Sequence, residues 1–75
     1  MTDIKFMKLT IGEKFTALRN QAGKTLDEVA GHLKMETLTY IKIENDFVYP
    51  SDQQIAKLGR LYNLTYEEVI AVGEE

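Results

Sequence analysis

The stretch TLDEVAGHLKMETLTYIKIE, residues 25–44, decides how this chain is read. Thr25 followed three residues later by Glu28 is a capping-box pattern, in which each side chain takes up a backbone N–H that a helix start leaves unpaired. Behind it Leu26, Val29, Ala30 and Leu33 recur at helical spacing. Tyr40 and Ile43 then stand three apart, so residues 37–44 read as a second short helix. Only Lys34, Met35 and Glu36 separate the two, too few for a hairpin with long arms and suited to a sharp crossing. Ala30 supplies the small side chain that such a crossing needs, and Leu33, Met35, Tyr40 and Ile43 fill the wedge.

Outward from this stretch the same start signal recurs, as Thr10 with Glu13, Ser51 with Gln54 and Thr65 with Glu68. Each is followed by apolar residues at helical spacing: Ile11, Phe15, Leu18 and Ala22; Ile55, Leu58, Leu61 and Tyr62; Val69, Ile70 and Val72. The pattern predicts an all-α chain with helices near 11–22, 26–33, 37–44, 52–62 and 66–72. Gly23 suits the end of the first helix, and Asn45-Asp46 tolerate a turn after the third. Residues 1–10 alternate weakly and read as an N-terminal arm or short strand, residues 11–72 as the folded domain, and residues 73–75 as a frayed tail.

Seventy-five residues leave room for one small core, and 44% hydrophobic with 28% charged residues is the balance of a chain that folds. There is no cysteine, hence neither disulfide nor thiolate metal site, and the single histidine, His32, has no partner at metal spacing. The single serine, Ser51, is used as a helix cap, and no carboxylate pair is placed for acid–base work, so neither an enzyme nor a cofactor is expected. No stretch approaches the roughly 18 apolar residues of a membrane span, and Asp3 and Lys5 interrupt any signal peptide; the expectation is a cytoplasmic protein. The net charge of −3 is unevenly spread: residues 1–43 carry seven bases and five acids, residues 44–75 two bases and seven acids. Any anion-binding face belongs to the first half.

A short turn between two crossing helices is helix-turn-helix geometry. With Gly12 and Leu18-Arg19 before it, Gly23 at its edge, Ile43-Glu44 closing it, and Pro50-Ser51, Leu58 and Leu61 beyond, the chain resembles the Cro and phage-repressor type of helix-turn-helix domain, also called the xenobiotic-response-element (XRE) family. The resemblance spans residues 11–72. It implies a compact five-helix, lambda-repressor-like domain, encoded by a prokaryote or phage, that regulates transcription by laying its third helix in the major groove of double-stranded DNA, as a homodimer. Thr37, Leu38, Ile41 and Lys42 match the base-reading positions. Lys24 and Thr25 at the start of helix two, Lys34 in the turn and Ser51 at the start of helix four are the candidate phosphate contacts. Arg19 and Glu44 match a structural ion pair that ties the first helix to the end of the third.

Several departures fall on the surface that would meet DNA. Thr37 and Lys42 can hydrogen-bond to base edges, whereas Leu38 and Ile41 can only press on a thymine methyl. Leu26 stands where the family starts its second helix with a phosphate-binding glutamine, and Lys34 stands where the turn has glycine. Glu36 suits a helix start but repels phosphate. The loop that commonly carries basic residues reads Phe47-Val48-Tyr49, which either tucks onto the core or, with Val69, Ile70 and Val72, forms an association patch. The competing reading is therefore a protein-interaction module on the same scaffold, docking a protein partner through Leu38, Ile41, Phe47, Val48 and Tyr49.

Overall fold

The computed structural model describes residues 8–74, and within them every regular element is a helix: α1 (Ile11–Gln21), α2 (Leu26–His32), α3 (Thr37–Glu44), α4 (Asp52–Leu61) and α5 (Tyr66–Ile70). Residues 1–7 of the expected arm and Glu75 lie outside the described residues. The helix starts follow the capping boxes. At Thr10, Thr25, Ser51 and Thr65 the side-chain oxygen accepts from the backbone N–H three residues on, and the Glu or Gln there accepts from the cap residue's N–H. Only α3 begins without a side-chain cap, on Glu36.

The stops share one device as well. After α1 to α4 a residue in the left-handed region, Gly23, Lys34, Asp46 or Asn63, turns the chain. The next N–H then reaches back five residues: Lys24 to Arg19 O at 3.1 Å, Met35 to Ala30 O at 3.0 Å, Phe47 to Lys42 O at 2.9 Å and Leu64 to Gly59 O at 2.8 Å. These bonds pair carbonyls that helix ends leave free. Lys34, at φ 58°, accepts a strain that glycine would not feel. That strain costs about 1–2 kcal/mol, against about 0.4–1 kcal/mol of extra unfolded-state entropy that glycine would bring. Lys34→Gly is accordingly expected to raise stability by about 0.5–1 kcal/mol, read as a melting temperature a few degrees higher.

The core is built around α3, which packs against α1 on one side and α2 on the other, while α5 pairs with α4 and reaches α1. Phe15, Val29, Tyr40, Ile43, Ile55, Leu58 and Val69 are buried to within 1% of complete enclosure. The rings of Phe15 and Tyr40 stack with centroids 6.2 Å apart. α1 approaches the end of α3 so closely that a Cβ at Gly12 would lie 2.5 Å from the carbonyl oxygens of Ile43 and Glu44. The turn after α3 returns the contact: Asp46 accepts from Gly12 N at 3.0 Å and from Thr10 Oγ1 at 2.6 Å. Buried Lys14 does the same for the far end of the domain, donating to Ile70 O and to Glu74 Oε2, the latter at 2.9 Å.

Candidate nucleic-acid interface

α3 advances by about 100° per residue, so its buried pair Tyr40 and Ile43 fixes which side chains face outward. Leu38, Ile41 and Lys42 share the opposite side, with Thr37 and Thr39 on its flanks. Leu38 is 71% exposed, Ile41 is half-buried and Lys42 is exposed. Thr37 is half-buried because its hydroxyl donates to Asp27 Oδ1 of α2 at 2.5 Å. Asp27 therefore belongs to this surface. Sequence reasoning missed it, because an aspartate in the first turn of a helix already satisfies the dipole there and no spacing rule links it to a residue ten positions on.

Lys34 in the turn is exposed and Lys24, just before α2, is half-buried. Thr25 and Ser51 use their oxygens as acceptors within capping boxes, from Glu28 N and Gln54 N at 3.1 Å each, which leaves each hydroxyl hydrogen free to donate outward. Glu28 is held below its ordinary pKa, first by its bond from Thr25 N. It remains charged at neutral pH close to Lys24, and Asp27 in α2 and Glu36 at the start of α3 are two further exposed carboxylates.

Behind the outward face of α3 lies an ion pair. Arg19 Nε donates to Glu44 Oε2 at 2.7 Å and Nη2 to Oε1 at 3.1 Å, while Nη1 donates to Lys24 O at 3.2 Å. One guanidinium thus ties α1, the loop before α2 and the end of α3. Thr16 Oγ1 lies 3.0 Å from both Gly12 O and Glu44 Oε1. Burial pushes the Glu44 carboxyl up, but the bonds from Arg19, with the bond from Thr16 contributing, hold it below its ordinary value. Arg19 is raised in turn, chiefly by the same bond. The buried hydroxyls of Tyr40 and Tyr62 have no hydrogen-bond partner among the described residues. Burial first, then the Glu44 charge, pushes Tyr40 up and Tyr62 up to about 12.

The loop after α3 does not tuck onto the core. Phe47 is 80%, Val48 40% and Tyr49 70% exposed, and Pro50 is the buried residue that ends the excursion. Val69, by contrast, has no place in an association patch: it is fully enclosed between α5 and α4, where Gly59 lets the helices close. Ile70 and Val72 are half-buried against the same core. The five-residue length of α5 is the reason, since so short a helix is held only by turning its apolar side inward. His32 is half-buried, its Nε2 3.0 Å from Lys57 O, and serves the α2–α4 packing.

Among the described residues no helix is long and apolar enough to cross a membrane. A family model described as "Helix-turn-helix domain" matches residues 10–71. No curated protein matches the chain.

Proposed function

Because the chain belongs to the helix-turn-helix domain family, we propose that it is a small transcriptional regulator of the Cro and phage-repressor type, acting on double-stranded DNA in the cytoplasm of a prokaryote or on behalf of a phage. The observation that carries this is the presentation of α3: locked from behind by Tyr40, Ile43 and the Arg19–Glu44 pair, it holds Leu38, Ile41 and Lys42 outward. Thr37, Leu38, Ile41 and Lys42 meet base edges in the major groove, and Lys24, Lys34 and the hydroxyls of Thr25 and Ser51 meet phosphate.

The protein binds as a homodimer through Phe47, Val48 and Tyr49, whose exposure is otherwise a cost, with the accessible parts of Ile70 and Val72 at the margin. One helix with a single cationic reader supplies too little discrimination alone. The same exposed aromatics favour the second reading, a protein-interaction module that docks a protein partner through Leu38, Ile41 and this loop and does not touch DNA.

Titration with duplex DNA separates the two. A dimer that places Lys24, Lys34 and Lys42 of each subunit on phosphate or base neutralises up to about six phosphates, so log affinity is expected to fall against log salt with a slope near −5. Lys34→Ala weakens all sequences alike, and Lys42→Ala also relaxes preference at one base position. The absence of binding to any duplex at about 50 mM salt, where electrostatic attraction is strong, overturns the regulator and leaves the interaction module.

A further inference from the structure

We infer that α3 selects its site mainly by C5 methyl groups in the major groove, on thymine or on 5-methylcytosine; this rests on the regulator reading above. The face is short of hydrogen-bond donors. The one proton of the Thr37 hydroxyl is directed to Asp27 Oδ1 at 2.5 Å, so towards a base Thr37 offers only lone pairs. Leu38 and Ile41 offer no polar atom, and Thr39 lies on the far flank. Lys42, the single cation of α3, reaches at most one base from its last turn, and helices of this kind meet base edges chiefly through their N-terminal part. What α3 presents there is the 71% exposed side chain of Leu38 beside Ile41, one turn along on the same side.

In the major groove an apolar side chain has one specific counterpart, the methyl at C5 of a pyrimidine. Covering a methyl is worth about a fourfold change in affinity. An acceptor-only Thr37 adds a polar preference: it accepts from the amino groups of adenine or cytosine and gives nothing to the guanine O6 or the thymine O4. Asp27 is thus a positioning residue, and Asp27→Ala, by releasing the Thr37 proton, broadens the preference at that base pair.

The experiment selects the full-length protein against a randomised duplex pool at about 50 mM salt, then remakes the enriched duplex with uracil for thymine and, separately, with 5-methylcytosine for cytosine. The expected result is a loss of about fourfold per contacted thymine in the uracil duplex, or a gain of that size with 5-methylcytosine, the arm that responds naming the base. Leu38 is exposed, so Leu38→Ala folds; it is expected to keep the salt slope and lose the methyl effect. Affinity that follows neither substitution, or a methyl effect that persists unchanged in a Leu38→Ala/Ile41→Ala variant, overturns the inference while leaving DNA binding intact. A pool that yields no enriched duplex overturns the regulator reading itself, and this inference with it.

Discussion

Gly12→Ala is expected to cost about 3 kcal/mol or more, a large fraction of what holds the domain folded. Helix propensity alone argues the other way, since alanine in a helix is favoured over glycine by about 1 kcal/mol. The new Cβ, however, would stand 2.5 Å from the carbonyl oxygens of Ile43 and Glu44 and 2.6 Å from Asp46 Oδ1. Two of those obstacles are main chain and cannot rotate away, so α1 and the end of α3 must part. Parting them also breaks the bond from Gly12 N to Asp46, a charged-acceptor bond of about 1.5–3 kcal/mol. A domain of this size has only about 4–11 kcal/mol in total. Gly31→Ala is the control, because nothing lies within 4 Å of a Cβ there and propensity is left to act. Urea unfolding in which Gly12→Ala equals or exceeds the wild type would remove the close α1–α3 approach from the account.

The second large effect belongs to Arg19 and Glu44. Their side chains are 16% and 7% exposed, and removing either leaves the other charged and unpaired in the interior. Arg19→Met and Glu44→Gln are each expected to lose about 3–5 kcal/mol, and the double variant far less than their sum. The pair also sets an acid limit. Because the folded Glu44 carboxyl titrates below its ordinary value of 4.5, its contribution is fully present above that pH. It is lost as pH falls through the folded value, where the unfolded chain binds the proton more readily. Melting temperature against pH should therefore fall less steeply in Glu44→Gln than in the wild type below pH 4.5. Parallel acid limbs in the two proteins would show that Glu44 does not carry the transition.

Helix starts were legible in the sequence because a capping box is local: Thr or Ser and the residue three positions on satisfy each other whatever else the chain does, and all four form. The buried faces of α1 to α4 were legible for a related reason, since spacing at helical period fixes which side chains share a side. The Arg19–Glu44 geometry, the enclosure of Val69 and the exposure of Phe47-Val48-Tyr49 depend instead on how the helices sit against one another. Periodicity marks Val69, Ile70 and Val72 as one apolar set; only the packing of α5 on α4 and α1 says which of them is sealed.

The most informative features of the site are long-range polar bonds with no spacing rule behind them. Asp46 closes the start of α1 from 34 residues away, Lys14 holds the end of α5, and Asp27 takes the proton of Thr37. By itself the sequence determined where helices begin, where they turn and which faces are apolar, because hydrogen bonds and periodicity within a few residues suffice for that. Tertiary structure decided which polar groups meet across the turns and so which donors α3 has left to offer a partner, because a side chain's free donors are known only once its partners are in place.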